Sequence, residues 1–397
     1  MDIIYGSSFC ESHLLDQIMR ALGNNIGFQV QKFHSLLIKG LTTNGCRVHC
    51  VSKLPLNRSS SKAFYFPRGV KSDNLEIDYI PFLNIPLVSN AITTVFAFLY
   101  TLIKVVRSSK RQVIICDGLN ISLSIGMLLV SKLMRIQSVA IVTDLPSYLF
   151  AQSKSLNTSI NNVLLRGFDS YVVLTEEMIK KIDKTGRKKY IVIEGITDID
   201  GESKTEVFKH NKNDKLVLLY AGSLNVQYGI NMLVEAFVLA ELPNTELHIY
   251  GRGDYEGQVS KLSRCHDNIV YWGGVKNDDV IIAEANADLL INPRLSKDTY
   301  TRYSFPSKLL EYMNSGSAVL TTKLPCIPED YYEFLYFFDD ESVVGMSKTL
   351  KQLTSMGRNE LRMKGLKAQK YVAVNKNYII QSERLIEFLS KGKRYNN

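Results

Sequence analysis

Residues 302–316, RYSFPSKLLEYMNSG, hold the densest chemistry in the chain. Pro306 suits the first position of a helix, where its missing N–H costs nothing. Ser307 and Lys308 then fall in the first turn. Free backbone N–H groups, a hydroxyl and an ammonium would converge at the positive end of a helix dipole, an anion site that suits a diphosphate. Glu311 stands three residues beyond Lys308, placed to accept hydrogen bonds from ribose hydroxyls. The plainer alternative is a Lys308–Glu311 helix ion pair worth about 0.2–0.5 kcal/mol. A lysine in the first turn opposes the helix dipole, which asks for a further reason.

The elements that must position this segment are legible as alternation. Apolar runs in the first half are DIIY (2–5), RVHCVS (47–52), EIDYI (76–80), QVIIC (112–116), QSVAIVT (137–143), SYVVL (170–174) and YIVIE (190–194). The second half adds LVLLYA (216–221), ELHIY (246–250), IVYW (269–272), DLLIN (288–292), AVLT (318–321) and LYFF (335–338). Helix-period stretches separate them, at 28–41, 121–135, 175–184, 229–240, 278–286 and 305–315. Near-continuous apolar strands between helices imply parallel sheets covered on both faces, and this many strands imply two doubly wound α/β domains. The expected division is 1–199, a polar linker at 200–214, a second domain at 215–375, and a C-terminal helix at 376–397. That helix is either the last of the second domain or a strap packing back on the first.

Ligands of open α/β sheets bind beyond the carboxyl ends of the strands. In the second half those ends read YAGSLNVQYG, YGRGDYE, WGGVKNDD and INPRLSKDTYTRYSFPSK. The glycines, among them Gly222, Gly229, Gly251 and Gly253, would let backbone N–H groups approach a phosphate, and the fourth turn is basic. One such turn is common. Three beside a basic fourth point to a nucleotide.

These stretches run in the order found in retaining family-four glycosyltransferases, which the chain resembles over most of its length and most strongly over 216–325. The wording FPSKLLEYM with VIEG is similar to the subgroup that builds bacterial capsule, exopolysaccharide or O-antigen. The resemblance implies the GT-B fold, two Rossmann-like domains facing across a cleft. It also implies a nucleotide-diphosphate sugar as donor, a lipid-linked or polysaccharide acceptor, and transfer without cofactor or metal. Glu311 matches the second Glu of the family's Glu-x7-Glu motif, at the ribose, while Tyr303 stands at the first, where the sugar hydroxyls are met. Ser223 and Tyr228 occupy the places of the Arg and Lys that clamp the diphosphate. Lys308, Arg294 and Arg302 are then the expected cations, with Lys297 behind them. The base would lie near the backbone of Val275 and Lys276. Asp144 stands where the family often has a His, as a contact to sugar or acceptor or else as a helix cap. The acceptor would sit near Tyr5 to Phe9.

Composition narrows the alternatives. The chain has 397 residues, 45% hydrophobic and 22% charged, which excludes disordered and collagen-like classes. Residues 1–200 carry 23 Lys and Arg against 15 Asp and Glu, so most of the net charge of +9 lies there. A basic first half suits an anionic surface. From Tyr79 to Ile103 no residue is charged, and Lys104, Arg107, Lys110 and Arg111 follow. That stretch is open to a core helix, a membrane-surface helix or a span. No basic leader precedes an apolar core at the N-terminus, so the expectation is the cytoplasmic face of a membrane, held peripherally. Six cysteines without paired spacing argue against structural zinc. No DxD pair stands at a plausible strand end. Two rival functions are a nucleotide-sugar epimerase on the same fold and a non-catalytic partner subunit, the latter favoured by Ser223, Tyr228 and Tyr303. Nucleic-acid binding lacks a recognisable module.

Overall fold

The computed structural model describes residues 1–22, 28–56, 67–85, 88–145, 156–200 and 215–391. The chain divides into two compact units, Met1–Ile196 with Tyr378–Asn397, and Thr197–Asn377. The expected linker therefore lies, Asp200 apart, outside the described residues.

The first unit begins with β1 (Asp2–Ser7), α1 (Ser12–Leu22), α2 (Phe28–Thr43), β2 (Arg47–Lys53), β3 (Val70–Lys71) and β4 (Leu75–Ile80). It continues with α3 (Val88–Arg107), β5 (Gln112–Asp117), α4 (Ile121–Met134), β6 (Gln137–Val142), α5 (Leu156–Gly167), β7 (Ser170–Val173), α6 (Glu176–Ile182) and β8 (Lys189–Val192). Its sheet runs β3-β4-β2-β1-β5-β6-β7-β8. Every pairing is parallel except β3 with β4. Every residue of β1 and β6 is buried, as a sheet covered on both faces requires. Among the described residues the one strand that apolar runs did not announce is β3, because a two-residue antiparallel edge needs no apolar pattern of its own.

The second unit holds β9 (Leu216–Ala221), α7 (Ile230–Ala240), β10 (Thr245–Tyr250), α8 (Glu256–Cys265), β11 (Ile269–Gly273), α9 (Asn277–Asn286) and β12 (Leu289–Asn292). Then come α10 (Ser307–Ser315), β13 (Ala318–Thr321), β14 (Tyr336–Phe337), α11 (Val343–Ser355) and α12 (Arg358–Asn375). Its sheet is wholly parallel, in the order β11-β10-β9-β12-β13-β14. Leu218, Leu247, Ile249, Leu289 and Ile291 on the strands close a core with Leu233 and Phe237 of α7 and Leu350 of α11.

In both sheets the strand order reverses direction at one place. In the first it lies between β1 and β5, and in the second between β9 and β12. Such a switch point leaves a crevice at the strands' carboxyl ends.

The last helix, α13 (Tyr378–Ser390), belongs to the first unit. It packs on α2, where Gly40 admits it: a Cβ there would lie 2.1 Å from the Tyr378 carbonyl oxygen. Asn44 Nδ2 donates to the Ile379 carbonyl at 2.9 Å, and Arg111 Nη2 to that of Leu389 at 2.7 Å. Helix α3 passes a length and composition test for crossing a membrane. Its inner face, Thr93, Ala97, Thr101 and Val105, is nonetheless buried in this unit. Gly126 of α4 meets it so closely that a Cβ would lie 2.5 Å from the Thr94 carbonyl.

Gly40→Ala tests the docking of α13. The obstacle is backbone, so the helix must shift. The unfolding midpoint in denaturant should fall by the equivalent of about 1–3 kcal/mol, the cost of overpacking. An unchanged midpoint would show that α13 contributes little to the unit.

Candidate active site at two sheet edges

At the second sheet's switch point the turn after β9 lies against the residues after β12. Gly229, with φ +79°, sits where a Cβ would fall 2.0 Å from the Pro293 carbonyl oxygen. Neighbouring turns stack on it. Gly222 N–H donates to the Tyr250 carbonyl at 3.1 Å, Leu224 N–H to Arg252 at 2.9 Å, and Gly251 N–H to Gly273 at 2.8 Å. A Cβ on Gly251 would lie 1.8 Å from the Gly222 oxygen, and one on Gly253 would lie 2.5 Å from Asn225 Oδ1. These glycines thus serve turn-to-turn packing, and the N–H groups of Gly222 and Gly251 are already engaged. Ser223 is exposed, and its carbonyl accepts from Tyr220 Oη at 2.7 Å. Val275 and Lys276 are exposed beyond β11, with Lys276 capping α9.

Arg294, two residues past β12, lies against the two tyrosines that flank it. Its guanidinium carbon is 4.9 Å from the Tyr228 ring centre and 6.0 Å from that of Tyr300. Tyr300 Oη donates to the Gln227 carbonyl at 2.9 Å, which ties this bracket to the turn after β9. One terminal nitrogen of the guanidinium, Nη1, is buried and has no hydrogen-bond partner among the described residues. A buried charged donor left unsatisfied is costly unless something else supplies an acceptor. Arg294 is thus carried in from the end of β12 to rest on the Tyr228 ring.

Helix α10 starts one residue later than expected: Pro306 is extended, with ψ 101°, and caps the helix instead of opening it. Ser307 is exposed in the first turn. The helix is pinned from below by Tyr312, which is fully buried. Its hydroxyl accepts from Ala221 N–H at 2.8 Å and donates to the Ala221 carbonyl at 3.0 Å. That registers α10 against the end of β9. Lys308 Nζ then lies 2.7 Å from Glu311 Oε2 and 3.0 Å from Glu284 Oε1 of α9. The three side chains are 23%, 11% and 2% exposed. Burial alone would push the Lys308 ammonium down; Glu311 and Glu284 outweigh it and hold it above the ordinary lysine range. The ammonium is therefore shared between two carboxylates, and its firmest effect is to fix the orientation of Glu311. Tyr303 is half-buried and Arg302 exposed just before the helix. Glu284 carried no sequence signal, because its value lies in a contact between α9 and α10.

The first unit gathers a second polar group at the β1–β5 switch point. Tyr5 Oη is 2.7 Å from His34 Nδ1 of α2, and His34 Nε2 lies 3.8 Å from Asp117 Oδ2 at the end of β5. Burial holds His34 below the ordinary histidine value, against a smaller upward pull from Asp117. Neither His34 nor Asp117 stood out in sequence; a histidine in a helix and an aspartate ending a strand are ordinary alone. Asp144, two residues past β6, is half-buried and accepts the Leu145 N–H at 2.8 Å. Burial pushes its carboxyl above the ordinary aspartate value, against a smaller downward pull from that N–H. The helix it was expected to cap would begin outside the described residues.

Residues 215–355 match the family model Glyco_trans_1_4, described as Glycosyl transferases group 1. Solved structures of similar architecture span nearly the whole chain. Sucrose-phosphate synthase of Thermosynechococcus elongatus is 14% identical, with a TM-score of 0.63 over 99% of this chain and 100% of that one. The lipopolysaccharide outer core galactosyltransferase WaaB, in its apo form, is 13% identical, with a TM-score of 0.63 over 99% and 100%. HepE of Anabaena, in complex with UDP and glucose, is 13% identical, with a TM-score of 0.60 over 98% and 99%. No curated protein sequence matches. The fold is GT-B, with two Rossmann-like domains. The match to the group 1 model falls within the second unit.

Two measurements probe these groups. Lys308→Met leaves two carboxylates facing each other and should cost about 3–5 kcal/mol of stability, as when one partner of a buried pair is removed. Adding Glu284→Gln should restore part of that loss; no restoration would mean that the pairing with Glu284 is not what matters. For Asp144, the folded state holds the proton more tightly than the unfolded chain does. The penalty on the charged form is absent below the ordinary aspartate pKa and complete above the raised one. Asp144→Asn should therefore raise the melting temperature near pH 7 and leave it unchanged near pH 3. A lowered melting temperature near pH 7 would show that the charge is stabilising.

Proposed function

We propose that the protein is a retaining glycosyltransferase of bacterial surface polysaccharide synthesis. It moves a sugar from a nucleotide-diphosphate donor to a lipid-linked or polysaccharide acceptor at the cytoplasmic face of the membrane. The observation that carries this reading is Arg294, whose buried Nη1 has no partner among the described residues, at the switch point beside the turn after β9. A diphosphate supplies that acceptor through a charge-assisted hydrogen bond. Glu311, held by Lys308, faces the ribose, and the exposed backbone at Val275 and Lys276 meets the base. HepE, of the same fold, has been captured with UDP-glucose, so a UDP-sugar is the donor class to try first.

In this reading the acceptor hydroxyl attacks the anomeric carbon from the face the diphosphate is leaving. The new C–O bond forms as the sugar–phosphate bond breaks, and the hydroxyl proton passes to the departing phosphate oxygen. Negative charge grows on that phosphate. Arg294 and the start of α10 are preorganised to hold it, which is the largest catalytic effect available to such a site and takes a metal's place. Tyr5 to Ser7, expected in a loop, are buried strand residues of β1, so the acceptor is met by Asp144 and the residues that follow β1. The first unit attaches to the membrane peripherally, through its basic charge and the apolar stretch in α3.

Turnover with a UDP-sugar in excess chelator is the direct test, and it should persist. Arg294→Ala should lower kcat far more than it raises KM, because the charge it meets develops in the transition state. Glu311→Ala should weaken nucleoside diphosphate binding by about 1.5–3 kcal/mol. Activity abolished by chelator and restored by magnesium or manganese would overturn the cation assignment; Glu311→Ala binding unchanged would overturn the ribose site.

A further inference from the structure

Helices α3, α4 and α5 form one layer on the first sheet. They connect strands that step in the same direction, β4 to β5, β5 to β6 and β6 to β7, and right-handed crossovers put all three on the same face. Adjacent members of the layer, α3 with α4 and α4 with α5, pack together. The outer side of this layer is apolar. On α3 the exposed residues Val88, Val95, Leu99, Ile103 and Val106 recur at helical spacing along one stripe, and Val106 is 67% exposed. On α4 they are continued by Leu129, Leu133 and Met134, with Leu133 64% exposed, and on α5 by Ile160 and Val163, the latter 66% exposed. Scattered apolar residues on a surface are ordinary, but a patch across three adjoining helices is not.

The charge on the same helices is one-sided. None of the three contains an aspartate or glutamate, and their basic residues, Lys104, Arg107, Lys132 and Arg166, all fall near C-terminal ends. Interaction with the helix dipole favours cations at that end. It does not account for the absence of acids elsewhere or for the apolar stripe. Lys104 itself turns inward, 2.6 Å from Glu76 and 3.0 Å from Asp78, so it is withdrawn from the surface cluster. Between the ends of α3 and α4 opens a cavity of about 620 Å³ lined by Lys110, Arg111 and Arg135, with Met134 beside them. Among the described residues no carboxylate lines it. Among the described residues no salt bridge involves Lys110 or Arg135.

We propose that this three-helix face seats on an anionic phospholipid bilayer, with the stripe at the level of the acyl boundary and a lipid headgroup phosphate in the Lys110–Arg135 cavity. The proposal rests on the peripheral attachment argued above and assigns it a surface and a ligand. Helix α3 then lies along the membrane, its inner face still packed on α4 and the sheet.

Co-sedimentation with vesicles tests it. The full-length protein should bind vesicles of phosphatidylcholine with phosphatidylglycerol, and bind phosphatidylcholine alone weakly. Lys110→Ala with Arg135→Asn should weaken binding to the mixed vesicles about fivefold for each cation removed. Asn is chosen because residue 135 has φ +54°. Val106→Glu with Leu133→Glu should abolish binding to both. All four positions are exposed, so melting temperature and nucleoside diphosphate binding should be unchanged in either variant. If the unaltered protein ignores every vesicle, peripheral attachment falls and this proposal with it. If it binds and both variants bind equally well, only the assigned face is wrong. If soluble glycerol phosphate alone stabilises the protein and the cation variant loses that response, the cavity takes free phosphate esters and the lipid assignment is overturned.

Discussion

A lysine ammonium shut between two carboxylates holds only while all three groups keep their places. Glu284 comes from α9 and Lys308 and Glu311 from α10, so the pairing fixes one helix against the next. Tyr312 fixes the same helix to the end of β9. Around these contacts the rest of the second unit falls into order. The turn after β9 is pressed against Pro293, the residues after β12 bring Arg294 over Tyr228, and the glycine turns stack with no room for a Cβ. The unit therefore presents one carboxylate of fixed direction and one guanidinium with a spare donor at the same sheet edge. Both are properties of the packing, and neither belongs to a single residue.

The strands were legible because a sheet covered on both faces has to be built from continuous apolar runs. QSVAIV and DIIYGS are buried at every residue, and nothing but a central parallel strand accommodates that. The helix carrying Glu311 was legible through Pro306 and the Gly316 that ends it. Its first residue was misplaced by one, since Pro306 is extended and stands just outside the helix. Much less of the site could be seen. Sequence shows that Ser223 and Tyr228 are not cations. It does not show that Arg294, sixty-six positions past Tyr228, returns to the same spot, because that requires β12 to pair beside β9. Glu284, His34 and Asp117 were invisible for the same reason: each matters only through a partner distant in sequence.

The polar group in the first unit follows a related logic. Tyr5, His34 and Asp117 arrive from β1, α2 and β5, and meet where the strand order reverses. The two switch points thus each collect titratable groups in a buried setting, one set dominated by a phenol and an imidazole, the other by carboxylates around a cation.

The return of α13 to the first unit gives the two units unequal histories. The second unit, Thr197–Asn377, is continuous in the chain, whereas the first is interrupted by it. As the chain is synthesised from its N-terminus, all the strands of the first sheet are made well before the helix that covers α2. The second unit can complete its core while the first still waits. Gly40 and Asn44 stay uncovered until α13 clears the ribosome, so a chain cut short before Tyr378 would lose the cover on the first unit and leave the second one whole.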